Sequence, residues 1–135
     1  MGFLDVVDGC VARFRKMDSK KGAYLDTIVD RYAEFIVLLP LFLLDLPKIV
    51  LPLQFWLSLY LFGGLMTTYA KASAKEKELT KKELSGGILE RAERILLFSV
   101  GLFLASIDTF YLSLVIVLVA ILANISAIQR ILLAF

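Results

Sequence analysis

The chain has no histidine among its 135 residues and a single cysteine, Cys10. The first absence excludes imidazole acid–base chemistry and histidine metal ligation, and the second excludes an internal disulfide. A lone thiol of this kind reads as a small packing residue rather than a nucleophile. The formal charge is only +2, so the balance gives no reason to expect nucleic acid as a partner. Polar residues are scarce: 59% of the chain is hydrophobic, and its mean hydropathy is +0.80. A water-soluble domain of this length needs far more polar surface, so the composition points to an integral membrane protein.

Residues 49–70 and 109–129 are free of formal charge over 22 and 21 positions, long enough to cross a bilayer. Two further segments are mixed. Residues 22–44 are apolar only after Glu34, and residues 88–107 are uncharged only from Ile95. Their polar ends must face protein or water. The expected fold is therefore an all-α polytopic membrane bundle with spans at about 22–44, 49–75, 88–107 and 109–135. The tail of a further helix over 1–14 and a basic loop over 14–21 precede them. Pro40 predicts a kink in the first span, while Pro47 and Pro52 bracket a turn. Ser85, Gly86 and Gly87 break the chain before the third span, and Asp108 turns it into the fourth. Gly63, Gly64 and Gly101 read as points of close helix packing, and Phe55, Trp56 and Tyr111 as an interfacial belt.

Arg13, Arg15, Lys16, Lys20 and Lys21 precede the first span, and Lys71, Lys75, Lys77, Lys81 and Lys82 lie between the second and third. The other connections carry only Lys48 with Asp45, and Asp108. The positive-inside rule puts both basic segments in the cytoplasm, and the four spans then alternate in direction without conflict. The expected location is the cell membrane, multi-pass, with the polar end of the bundle facing the cytoplasm.

That polar end holds four aspartates. Asp5 and Asp8 are three apart, and Asp26 and Asp30 four apart, so each pair shares a face if its segment is helical. Carboxylates beside hydrocarbon are costly unless cations compensate them. Two divalent ions about 3.5–4 Å apart can clamp a phosphoryl group during transfer. Mg²⁺ is a hard ion that suits carboxylate oxygens, and Mn²⁺ is an acceptable substitute. Gly9, Ala12 and Gly22, small residues beside the acids, would let a nucleotide approach the backbone closely.

The string Asp5-x2-Asp8-Gly9-x2-Ala12-Arg13-x8-Gly22-x3-Asp26-x3-Asp30 resembles the signature of the CDP-alcohol phosphotransferases (CDP-alcohol phosphatidyltransferases) at every fixed position. The resemblance extends more loosely to Tyr69-Ala70-Lys71-Ala72 and to Glu90-Arg91-Ala92-Glu93-Arg94. It implies a six-helix membrane domain, usually a homodimer, that moves a phosphoalcohol from a CDP-alcohol to an acceptor hydroxyl and releases CMP. Carried over by position, Asp5, Asp8, Asp26 and Asp30 would hold two Mg²⁺ ions, and Asp30 would also be the base on the acceptor hydroxyl. Gly9, Ala12, Arg13 and Gly22 would line the CDP site. The family has two helices up to the first aspartate, so the expectation is a fragment or a shortened start. Residues 1–135 alone would then leave the site open on one side.

Arg91 and Arg94 sit three apart near the inner end of the third span, which has only 13 uncharged residues, 95–107, after them. Their basic turn therefore falls near membrane depth, which favours an acceptor-phosphate clamp over interfacial anchoring. Arg31, next to Asp30, is a further acceptor-binding candidate. Lys71 and Lys75 read as snorkelling residues and Asp18 as solvated. Arg130 is either an anchor or a third phosphate ligand, and Glu34 either supports the site or is a neutral buried acid. Arginines around one cavity favour a phosphorylated acceptor, such as inositol phosphate or glycerol phosphate, over free serine or choline, with inositol phosphate preferred. Two alternatives stand beside this reading. One is a non-catalytic truncated membrane subunit. The other is a divalent-cation transporter, which would place acids near the midplane on several helices.

Overall fold

The computed structural model describes residues 20–79 and 91–134, with only the backbone at Arg91. Among the described residues four helices follow in order: α1 (Lys20–Phe42), α2 (Leu53–Glu76), α3 (Arg91–Leu104) and α4 (Thr109–Leu133). No strand occurs among the described residues. The chain divides between Val37 and Leu38 into two compact units. Most of α1 belongs to the first, and the remaining helices with the end of α1 belong to the second.

The helix boundaries differ from the expected spans for local reasons. Pro40 lies inside α1 but two residues from its end, so the lost amide bond falls in a turn that is already terminating. Residues 49–52 are not helical. The Leu51 amide donates to the Ile49 carbonyl at 2.6 Å around Val50, whose φ is 61°. Pro52 then stands as N-cap with φ −56° and ψ 145°. A left-handed residue followed by an extended proline is incompatible with a helix, so α2 starts at Leu53 rather than Ile49. The Trp56 indole N–H donates to the Ile49 carbonyl at 3.0 Å and ties this turn to the first turn of α2.

The second unit is organised around α4, against which both α2 and α3 pack. Buried positions on α2 are Leu53, Leu57, Tyr60, Gly63, Gly64, Thr67 and Ala74. On α4 they include Leu112, Ile116, Val119, Ala123 and Ser126. Steps of three and four give each helix one buried stripe, with Ala, Gly and Ser allowing close approach. Two contacts fix the relative direction. Asn124 Nδ2 donates to the Leu59 carbonyl at 2.9 Å, and Arg130 Nη1 to the Thr67 carbonyl at 3.5 Å. Both partners advance along the sequence together, so α2 and α4 run parallel, as alternating passes require. Between them in sequence, α3 turns into α4 through 105–108. There the Asp108 carboxylate caps the new helix by accepting from the Phe110 amide at 2.8 Å.

Among the described residues, only α4 is long and apolar enough to cross a membrane by length and composition alone. In α1 and α2 the apolar run is broken or diluted by polar residues. In α1, Asp26, Asp30, Arg31 and Glu34 interrupt the apolar run. The α2 segment is diluted by glycine, threonine and tyrosine. Among the described residues, large apolar side chains such as Leu43, Val50 and Phe103 are exposed. An apolar exterior of this kind suits hydrocarbon better than water.

Candidate functional site

The first unit carries the described half of the aspartate motif. Gly22, Asp26, Asp30, Arg31 and Glu34 all lie on α1. Its 3.6-residue period sets Asp26, Asp30 and Glu34 one above another on a single face, a turn apart. Asp26 is exposed, while Gly22, Asp30, Arg31 and Glu34 are half-buried. Arg31 Nη1 lies 2.7 Å from Glu34 Oε2 in an i, i+3 ion pair, with side-chain exposures of 16% and 19%. Glu34 is thus the side chain that Arg31 meets one turn along its own helix. The spacing was a readable signal for this pair.

Asp5, Asp8, Gly9, Ala12 and Arg13 lie outside the described residues, as do Asp18 and the side chain of Arg91. Among the described residues no group of three or more acidic, cysteine or histidine side chains is placed to hold a metal ion. Two motif carboxylates are placed, from one helix. Their chemistry fits Mg²⁺: hard, anionic oxygens a turn apart, one of them open to solvent.

The second unit holds the other cations. Arg94 on α3 is 7% exposed, and its guanidinium carbon lies 5.8 Å from the centre of the Tyr60 ring on α2. Phe98, one turn further along α3, meets the same ring edge-on at 5.1 Å and 71°. Arg130 is half-buried and reaches back to the end of α2 through the Thr67 carbonyl. Lys71 is half-buried and Lys75 exposed. Burial separates Arg94 from an interfacial anchor, which would keep its head in water. Tyr60 was read only as part of an apolar span, because its pairing with α3 is a tertiary contact with no local spacing to betray it.

The sequence model of the family described as CDP-alcohol phosphatidyltransferase matches residues 1–135. The chain belongs to the CDP-alcohol phosphatidyltransferase family. It is 32% identical over 130 residues to an archaetidylinositol phosphate synthase of Methanothermobacter thermautotrophicus, covering 96% of this chain and 63% of that protein. A protein of the same name from Pyrococcus horikoshii is 35% identical over 132 residues, with 96% and 62% covered. A bifunctional IPC transferase and DIPP synthase of Aquifex aeolicus is 31% identical over 119 residues, 84% of this chain and 27% of its own length. The chain thus spans under two thirds of the length of these curated relatives. No solved structure matches. Membership places the chain in a family of membrane proteins, consistent with its apolar exterior and the apolar α4.

Proposed function

We propose that the protein transfers a phosphoalcohol from a CDP-alcohol to an acceptor hydroxyl, with release of CMP. The observation that carries this reading is the full family signature over residues 5–30, whose Asp26 and Asp30 stand one turn apart on α1. The acceptor oxygen forms a new bond to the phosphorus that bears the donor alcohol. The bond between that phosphorus and the bridging oxygen breaks, and the oxygen leaves on CMP. The acceptor proton passes to Asp30, which needs to accept it only as the oxygen attacks. Half-burial of Asp30 suits a group that meets substrate at a boundary between protein and solvent.

Asp5, Asp8, Asp26 and Asp30 would hold two Mg²⁺ ions, with Mn²⁺ as a substitute. Once bound, the ions supply charge neutralisation and orientation of the pyrophosphate. Gly9, Ala12, Arg13 and Gly22 would receive the CDP moiety. Arg91 and Arg94 would bind the acceptor, with Arg31 held by Glu34 as a third group. Inositol phosphate is the acceptor we favour. Support comes from the buried Arg94 and from the similarity to proteins named archaetidylinositol phosphate synthase. The site would open to the cytoplasm in a multi-pass protein of the cell membrane, and a homodimer is the proposed assembly.

The test uses the full-length protein in vesicles with a CDP-alcohol, Mg²⁺ and inositol phosphate, following CMP release. Asp30→Asn should lower kcat by at least about 100-fold, the usual scale of a lost general base. CMP release at the wild-type rate in that variant would remove Asp30 from the chemistry.

A further inference from the structure

A guanidinium buried to 7% exposure in an apolar bundle is costly unless something nearby takes up its charge. Among the contacts of Arg94, the Tyr60 ring is notable because an aromatic face attracts a cation without occupying an N–H donor. The distance of 5.8 Å lies within the roughly 6 Å range of that attraction. The ring itself has little freedom. Tyr60 is 2% exposed and belongs to the same core cluster as Leu57 and Ile116, both fully buried. Arg94 and Phe98 lie a turn apart on α3, so the ring is bracketed by the cation and by the edge-on phenyl group.

We propose that Tyr60 is a positioning residue for acceptor recognition: its ring fixes the Arg94 guanidinium so that the N–H donors are pre-oriented toward the phosphate of a phosphorylated alcohol. This rests on the reading of Arg94 as an acceptor ligand. An arginine side chain otherwise loses considerable rotamer freedom when it closes on an anion. Holding it against a ring that cannot turn away places that loss in folding rather than in binding. The expected consequence is selectivity. The ring contributes to affinity for a phosphomonoester acceptor and leaves the CDP-alcohol donor untouched.

The experiment uses the full-length protein in vesicles with a CDP-alcohol donor, varying inositol phosphate and measuring CMP release. Tyr60→Leu should raise the acceptor KM about 3- to 30-fold, the range of a partly to fully desolvated cation–ring contact. The donor KM and kcat should stay at wild-type values, and Tyr60→Phe should restore the acceptor KM. Phenylalanine analogues with increasing ring fluorination at position 60 preserve shape while draining the negative ring face. With these, the logarithm of the acceptor KM should climb with each fluorine. A flat fluorine series, or a Tyr60→Leu loss shared equally by donor KM and kcat, overturns the proposal. Arg94→Ala separates the two levels. If it leaves the acceptor KM unchanged, the reading of Arg94 fails. If it raises the KM while the fluorine series stays flat, only the role of Tyr60 fails.

Discussion

A methyl group on Gly63 would stand 2.9 Å from the side-chain nitrogen of Asn124. That nitrogen donates to the Leu59 carbonyl on α2 at 2.9 Å and to the Ala120 carbonyl on its own helix at 2.8 Å. The absent side chain at position 63 is therefore what lets an amide from α4 bridge two helices. Both amide hydrogens are used, so this polar group carries little desolvation cost in an apolar setting.

The first prediction concerns that bridge. Asn124→Leu should destabilise the protein by about 0.6–1.7 kcal/mol, the span measured for interhelical hydrogen bonds in membranes. Gly63→Ala should cost about 1–3 kcal/mol by overpacking, offset by up to about 1 kcal/mol of improved helix propensity. In an Asn124→Ala background the Gly63→Ala cost should shrink but persist, because the Ala123 backbone carbon also lies 3.0 Å from the new methyl. Unfolding by SDS in mixed micelles reads all three values. Strict additivity of the two changes would show that the close approach is not shared.

The end of α2 yields a stabilising change. The Leu79 amide donates to the Ala74 carbonyl at 3.0 Å and the Glu78 amide to the Lys75 carbonyl at 3.2 Å. This is the paired pattern of a Schellman motif. It puts Glu78 at φ 55°, a conformation that favours glycine over a side chain. Glu78→Gly should stabilise by about 0.5–1 kcal/mol once the extra freedom of glycine in the unfolded chain is deducted. A rise in Tm in detergent checks it, and a fall would mean that Glu78 makes a compensating contact.

How much of this was readable beforehand follows from the range of each interaction. The shared face of Asp26 and Asp30 follows from i, i+4 spacing, a purely local rule, and the helix carries it out. The parallel course of α2 and α4 follows from counting alternating passes. The start of α2 at Leu53 is not legible in the sequence, because Val50 looks like a helix or strand residue. Its left-handed φ comes from the tight turn that Pro52 and the Trp56 anchor close around it. The Tyr60–Arg94 contact was invisible, since nothing local links position 60 to position 94. Gly63 was marked as a packing point, but its partner Asn124 was not, because one asparagine in an apolar run has many candidate acceptors.

Arg31 and Glu34 supply a prediction about coupling. Their 2.7 Å contact is more than half shielded from solvent, so it is stronger than an open surface pair. In a double-mutant cycle of Arg31→Ala and Glu34→Ala, stability should show a coupling of about 0.5–3 kcal/mol. Glu34→Gln alone should raise the acceptor KM in the same direction as Arg31→Ala, because it releases the side chain that Glu34 orients. Additive stabilities with an unmoved KM would reduce the pair to a local helix contact.

The last prediction separates metal binding from proton transfer. Asp26 is exposed on α1 while Asp30, a turn away, is half-buried. An exposed carboxylate that serves only as a ligand can be compensated by raising the metal concentration; a lost base cannot. Chelation with EDTA should abolish CMP release by the wild-type protein, and added Mg²⁺ should restore it. In Asp26→Asn the midpoint of the Mg²⁺ titration should move up at least about tenfold, since even groups that merely orient a ligand change metal affinity by 10- to 100-fold. Saturating Mg²⁺ or Mn²⁺ should then recover a large part of the Asp26→Asn rate and much less of the Asp30→Asn rate. An unchanged midpoint in Asp26→Asn would take that residue out of the metal site. Equal recovery of both variants would leave Asp30 as a ligand only, with the proton going elsewhere.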